Sequence, residues 1–455
     1  MSNFLPNELI ARLRDESNFD HEAFLNTHAK GDRITSIRLN PRKKAALTMP
    51  LNAPVPWCRD AFYLDERPIF TLDPLYHAGC YYVQEASSMF LGHILRSLGL
   101  EGASVRALDL CAAPGGKSTL LNAYLGTGSL VVSNEVIKSR VGILQDNINR
   151  WGMHNVLVSN NDPSAFSRLP GYFDLMVVDA PCSGSGMFRK DSGAIDEWSL
   201  ANVKLCSDRQ KRILAESIAT LATGGYLVYS TCSYSSEENE DILDWIISEY
   251  GFSTVALDVA EAWKIQPTLS PVHAAHGYRF YPHQVQGEGF FVGVLKKTQE
   301  QETFGRKRAK PEKSPIKKDA LRTWLVGDER LYAFMHRDDV HIFPKQYEDD
   351  LRWIQQVLYI RTAGTNIGKW LGKELVPSHE LALSIFVNAE INAQELTLAV
   401  AQQFLRKENL DREVFENAGS GWCLVRHQGV NLGWVKILSN RINNYYPKES
   451  RIVHL

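Results

Sequence analysis

Two cysteines and a run of carboxylates carry the chemistry that this chain can offer. Cys182 lies in VVDAPCSGSG and Cys232 in YSTCSYSSEENE, each just past an apolar run where a loop begins. A cation or a helix N-terminus beside such a thiol lowers its pKa from about 8.5, and the thiolate attacks electron-poor carbon, including that of an aromatic ring. Two thiols and Asp179 can divide nucleophile, proton handling and base recognition between them, and the residues alone leave that division open. The remaining cysteines, Cys58, Cys80, Cys111, Cys206 and Cys423, are scattered without a C-x-x-C pair. That spacing excludes a zinc site or a disulfide framework, and no metal is expected. Cys206 sits in a helical pattern as a structural residue, and Cys111 is expected to pack within its loop instead of serving as a third catalytic thiol.

The second chemical feature is VRALDLCAAPGGKST, residues 105–119. A strand breaks there into a glycine-rich turn and a helix N-terminus, the build of a small-molecule site in an open α/β sheet. GGKST resembles a triphosphate loop, but counting back from Gly116 puts Cys111 where the first glycine must stand. Pro114 also removes an N–H from a loop whose task would be to offer N–H groups to phosphate. A nucleoside-type cofactor fits better. Gly115 and Gly116 allow close backbone approach, and the helix starting near Lys117 offers free N–H groups. Glu135 is placed to accept from ribose hydroxyls and Asp162 from an adenine amine. With Asp109 and Asp179 these make four acidic residues at successive strand ends.

Those side chains need a scaffold. Apolar runs at 105–111, 129–136, 155–161, 173–179 and 225–231 alternate with helical stretches at 117–125, 138–151, 201–222 and 235–249. The alternation predicts a doubly wound α/β sheet, Rossmann-like, with ligands beyond the carboxyl ends of its strands. A further strand is expected at 287–297. The domain reading is 1–98, an N-terminal α+β region; 99–297, the catalytic domain; 298–319, a basic linker; and 320–455, a mostly β unit with one or two helices. Aromatics between 51 and 82 are expected mainly in the core, with base stacking the minority reading. Arg33, Arg38, Arg42, Lys43 and Lys44 form a local basic cluster, most simply a solvated face.

At 455 residues the chain has room for several cores, and a net charge of −2 excludes a whole-surface basic attraction for nucleic acid. There is no signal peptide pattern and no run of about 18 apolar residues. A soluble, cytoplasmic protein is expected.

LDLCAAPGGKST, VVDAPCSGSGMFRKD, YSTCSYSSEENE and RFYPHQVQGEGFF together resemble the S-adenosylmethionine-dependent RNA cytosine-C5 methyltransferases of the Nol–Nop–Sun class. AGTNIGKWLGKELVPSHELALSI and NNYYPKESRI are similar to the PUA-like extension of the bacterial branch that acts on 16S rRNA, the RsmF type. The resemblance covers nearly the whole chain. It implies that Cys111, Ala112, Ala113, Pro114, Gly115, Gly116 and Lys117 wrap S-adenosyl-L-methionine, that Glu135 binds its ribose, and that Asp162 lies by its adenine, with Asp179 adjoining. It implies Cys232 as the nucleophile toward cytosine C6, Asp179 as the contact to N3, and Cys182 as the group that helps remove the C5 proton and release the adduct. Lys117 is expected to add positive charge beside the base or Asp179. The target cytosine must leave its stack, so a loop or an opened helix is the expected substrate. Arg38, Asn40, Lys190 and the C-terminal domain are candidates for holding RNA. The protein is expected to act as a monomer, without membrane partner. The alternatives are the same chemistry on tRNA and a non-catalytic RNA-binding assembly factor.

Overall fold

The computed structural model describes residues 5–16, 19–302, 318–372 and 374–453. Of the basic linker, 303–317 lie outside the described residues. The N-terminal region starts with helices α1 (Asn7–Arg14) and α2 (His21–Lys30), the second capped by the Asp20 carboxylate on the Ala23 N–H at 2.9 Å. Strands β1 (Thr35–Leu39), β2 (Ala61–Leu64) and β3 (Tyr81–Val83) form an antiparallel sheet with β1 central. Short helices α3 (Pro74–His77) and α4 (Leu91–Ser97) follow within the same region. Trp57, Tyr63, Phe70 and Tyr81 are buried, so these aromatics serve the core and not a stacking surface.

The central domain is a ten-stranded mixed sheet. Strands β4 (Arg106–Asp109), β5 (Leu130–Asn134), β6 (Val156–Ser159), β7 (Phe173–Asp179) and β8 (Leu221–Thr231) are parallel in the order β8-β7-β4-β5-β6. Every residue of β5 and β6 is buried, as expected of strands covered on both faces. Helices α5 (Gly116–Tyr124) and α6 (Lys138–Trp151) pack on one face. The short α7 (Gly193–Glu197) leads to α8 (Leu200–Ser217), which with α9 (Glu240–Tyr250) packs on the other face. Strand order reverses at β4, whose neighbours continue the chain in opposite directions, and that leaves a crevice at its carboxyl end. After the short β9 (Phe252–Thr254), strands β10 (Gln266–Leu269), β11 (His276–Phe280) and β12 (Phe290–Lys297) extend the sheet antiparallel beyond β8.

The C-terminal segment is more than one small unit. Strands β13 (Leu331–His336) and β14 (Asp339–Pro344) begin a four-stranded sheet, but β15 (Ile360–Ala363) leaves it to pair antiparallel with β6 at the edge of the large sheet. Strands β16 (Thr365–Leu371) and β17 (Glu374–Pro377) complete the first small sheet, and β18 (Ala393–Glu395), β19 (Gly421–His427), β20 (Val430–Ile437) and β21 (Ile442–Asn444) form a second. That last sheet shares a core with the N-terminal region: Ile37, Leu75 and Tyr81 pack in one cluster with Phe404, Val425 and Tyr446. His77 Nδ1 lies 3.0 Å from the Tyr446 hydroxyl, and Gln402 donates to the Leu72 carbonyl at 2.9 Å. Among the described residues no helix is long and apolar enough to cross a membrane.

Candidate active site

Loops after β4, β5, β6, β7 and β8 carry the expected site residues, all at the carboxyl end of the sheet. The first loop, Cys111–Gly115, is held from α6: Asn147 donates to the Pro114 carbonyl at 2.8 Å and Arg140 to that of Ala113 at 2.7 Å. Gly115 has φ +114°, a conformation side-chain-bearing residues rarely adopt, and precedes α5 without a side-chain cap. The first N–H groups of α5 therefore stay open toward the crevice, a place for an anionic group. Cys111 is half-buried, and burial among Asp109, Glu135 and Asp179 drives its thiol pKa well up, which suits packing and not nucleophilic work.

Beneath this loop Asp109 is fully buried. Its Oδ2 accepts from Ser118 Oγ at 2.6 Å, while Oδ1 has no partner among the described residues. Burial pushes the carboxyl up to about 7, against the opposing pull of the Ser118 hydroxyl and Lys117. Glu135 is buried at the end of β5, with Oε1 accepting the Ile137 N–H at 2.8 Å and Oε2 3.6 Å from Arg140. Asp162, after β6, is open to solvent, with its side chain 46% exposed; hydrogen bonds from Ser164 hold its carboxyl below the usual range. An open helix start, a buried carboxylate and an exposed one, spread along adjacent strand ends, form a donor and acceptor set that fits a nucleoside-bearing cofactor.

Asp179 joins the halves of the crevice. Its Oδ2 is 2.7 Å from Lys117 Nζ in the first turn of α5, and its Oδ1 accepts from Ser230 Oγ of β8 at 2.8 Å. The Lys117 ammonium also lies 5.3 Å over the Phe290 ring of β12. Cys182 and Cys232 meet across the next gap, with sulfurs 2.8 Å apart and the Cys232 N–H 3.3 Å from Cys182 Sγ. Either thiol can donate in this contact, which with burial holds the Cys182 thiol far above its ordinary pKa.

Several residues that hold the thiols were not singled out from the sequence. Glu238 is buried between their loops, accepting from the Ser183 N–H at 2.8 Å, Ser183 Oγ at 2.6 Å and Ser233 Oγ at 2.5 Å. Asn239 accepts from Thr231 Oγ1 at 2.6 Å and donates to the Ser233 carbonyl at 2.8 Å. Arg279 of β11 grips Glu240 with two hydrogen bonds at 2.8 and 2.6 Å, and Arg189 bonds Glu288 at 3.1 Å. The available signal was charge inside the motifs that close on the crevice: a carboxylate or guanidinium buried there requires a partner. Glycine makes a second close approach at Gly186, where an added Cβ would lie 2.3 Å from the Gly289 carbonyl oxygen and 2.9 Å from that of Cys232. The PCSGSG, TCS and GEGFF segments thus touch backbone to backbone.

The expected RNA contacts at Arg38 and Asn40 need correction. Arg38 is buried, donating to Thr119 Oγ1 at 2.7 Å and to Gln84 Oε1 at 3.1 Å, with its guanidinium 4.6 Å over the Trp151 ring. Asn40 donates to the Gly79 and Trp151 carbonyls, each at 3.0 Å. Both satisfy interior polar groups where the N-terminal sheet meets α5 and α6, and neither reaches solvent. The basic cluster is correspondingly dispersed, whereas Lys190 is exposed.

The sheet order, its antiparallel strand beyond β8 and the crevice define the class as the S-adenosylmethionine-dependent methyltransferase fold. Solved relatives share it: a methyltransferase homolog protein from Pyrococcus horikoshii superposes with TM-score 0.50 at 25% identity, covering 64% of this chain and 100% of that one. NSun6 from the same organism, solved with SFG, superposes with TM-score 0.53 at 19% identity, covering 65% and 99%. Along the sequence, residues 100–296 match the family 16S rRNA methyltransferase RsmB/F, residues 5–86 the N-terminal domain of 16S rRNA methyltransferase RsmF, and residues 391–452 the methyltransferase RsmF PUA domain. Ribosomal RNA small subunit methyltransferase F of Vibrio parahaemolyticus is 31% identical, with 98% of this chain and 97% of that one aligned. Its counterpart from Escherichia coli O9:H4 is 30% identical, with 92% and 89% aligned. The chain belongs to the RsmF branch of the 16S rRNA methyltransferases, and the cofactor of that class is S-adenosylmethionine.

Proposed function

We propose that this protein methylates C5 of a cytosine in 16S rRNA through a transient covalent bond from Cys232 to C6. The observation that carries the reading is the pair of facing thiols, Cys182 and Cys232, whose sulfurs lie 2.8 Å apart beyond the strand ends that carry Asp179 and Ser230. A hydrogen bond to Cys232 sulfur stabilises negative charge there, as a nucleophile requires. Bound S-adenosylmethionine supplies the methyl group. Residues Cys111 to Lys117 hold it, with Glu135 on the ribose, Asp162 by the adenine and Asp179 adjoining. Attack by Cys232 at C6 moves an electron pair toward C5, which takes the methyl group; Asp179, paired with Lys117, contacts N3 and favours the attack. Cys182 passes its thiol proton to the departing Cys232 sulfur and takes the C5 proton in its place, which re-forms the C5–C6 double bond and expels Cys232. Residues 99–297 are the catalytic domain, flanked by RNA-holding regions at 1–98 and 320–455 with Lys190 as an added contact. The protein acts as a cytoplasmic monomer.

The test offers labelled methyl donor with 16S rRNA, 30S subunits or tRNA. Label in 5-methylcytosine of 16S rRNA is expected, and label in tRNA alone sinks the assignment. Cofactor binding without transfer to any RNA would favour an assembly factor. Cys232→Ala should abolish both transfer and the covalent complex, whereas Cys182→Ala should accumulate protein bonded to RNA. Free turnover by Cys182→Ala would remove the release role.

A further inference from the structure

We infer that a seam at the amino ends of β5 and β6, on the side of the sheet away from the thiols, is a second RNA contact that holds single-stranded nucleotides by their phosphates and one unstacked base. The inference rests on the proposed RNA substrate and adds a site to it.

The seam is a cleft of about 680 Å³ between the large sheet and the C-terminal units. Gly128 just before β5, His154 just before β6, Arg42, Arg330, Lys345 and Phe386 line it. A second cleft of about 300 Å³ shares Arg42 and Ile385 with the first and runs past Lys44 to Asn431 on β20. Among the described residues neither is lined by a carboxylate, although the chain as a whole is slightly acidic. Lys43 is turned inward onto the Ala78 and Arg150 carbonyls at 2.8 and 2.6 Å, so the outward cations are Arg42, Lys44, Arg330 and Lys345. Glu329 lies 3.5 Å from Arg330, but both are largely solvent-exposed and such a pair is weak. A track of four outward cations with one weakly paired carboxylate beside it matches a phosphodiester chain.

The second observation lies inside the cleft. His154 is buried, and its Nδ1 has no hydrogen-bond partner among the described residues. Burial, with Arg330 and Arg42 nearby, draws its pKa down to about 3, so the ring is neutral. It meets the Phe386 ring edge-on, with centroids 4.2 Å apart. A neutral imidazole edge beside an aromatic side chain offers a hydrogen bond and an apolar surface without charge, the pairing that receives an unstacked base. The five residues of β5 separate this seam from the crevice by about 16 Å at 3.3 Å per residue, so a short RNA engaged at the thiols leaves the seam empty.

The test compares wild type with the Arg330→Glu/Lys345→Glu double variant, two exposed positions whose change spares the core. Affinity for full-length 16S rRNA should fall about tenfold or more at 0.15 M salt, and the slope of log K against log salt should become shallower by about 1.4, two single-strand phosphate contacts. The melting temperature, cofactor affinity and methylation of a short target-bearing RNA should stay at wild-type values. In wild type, 4-thiouridine placed along the RNA should cross-link to the peptide containing Phe386. Unchanged affinity and slope, or a cross-link from this peptide to a ribosomal protein instead of RNA, overturns the seam. A wild type that methylates no RNA refutes the proposed function itself; a methylating wild type matched by the variant refutes only the seam.

Discussion

Asp109→Asn should stabilise the protein progressively as the pH rises above 6. The Asp109 carboxyl has an ordinary value of 3.8 and is raised to about 7 by burial. Between those values the native state holds a proton that the unfolded chain has lost, so this stability is full below pH 3.8 and is lost as the pH rises through 7. At 1.36 kcal/mol for each tenfold change, the whole effect is on the order of 4 kcal/mol, of which about 1.4 kcal/mol falls between pH 6 and 8.5. Asparagine keeps the shape and can still accept from Ser118, but never ionises. Urea unfolding of both cofactor-free proteins at pH 6 and 8.5 gives the comparison. The stability difference, variant minus wild type, should grow by about 1.4 kcal/mol over that interval. A difference that stays constant, or shifts toward wild type, would refute the claim that Asp109 is forced to ionise in a site with one unpartnered oxygen.

The buried histidines act in the opposite direction. His28, His77 and His341 are pulled down to about 4 and His154 and His379 to about 3, mainly by burial, so their stability is present above pH 6.5 and is lost as the pH falls toward those values. Circular dichroism should report cooperative acid unfolding on this interval, and native signal retained at pH 3 would contradict it. Glu238→Ala leaves the Ser183 and Ser233 donors buried without their acceptor and should cost about 3–5 kcal/mol, against about 1 kcal/mol for Glu238→Gln, both read by urea titration. Gly115→Ala forces a side chain into φ +114° with its Cβ 3.3 Å from Leu144. Calorimetry should show cofactor affinity reduced about tenfold, from roughly 1–2 kcal/mol of strain in the loop.

The central sheet was legible because parallel strands covered on both faces read as apolar runs, and their chemistry lies just past each run. Predicted and observed strands coincide closely at 173–179, and the helix expected at 138–151 spans Lys138–Trp151. Pairing across distance was not legible. Nothing in the residues of β15 says that its partner is β6, some 200 positions earlier, instead of its neighbours in the small sheet. Arg38 looked like a surface cation because charge usually is exposed; its burial depends on Gln84, Thr119 and Trp151 converging from three elements. Glu238 stood in a quoted motif, yet its function as the clasp between two thiol loops depends on where Ser183 and Ser233 arrive.

The core shared by β1, β3 and the last sheet has a consequence for biogenesis. During synthesis the N-terminal sheet leaves the ribosome with the face around Ile37, Leu75 and Tyr81 uncovered, and its cover, Phe404 to Tyr446, follows about 360 residues later. At 5–20 residues per second that face waits on the order of 20–70 s for its partner. The β1–β3 sheet therefore matures only after the β18–β21 sheet has been made. A transcript truncated before the last sheet yields a nascent protein whose first domain remains sticky, a substrate for chaperones and proteases instead of a shorter methyltransferase.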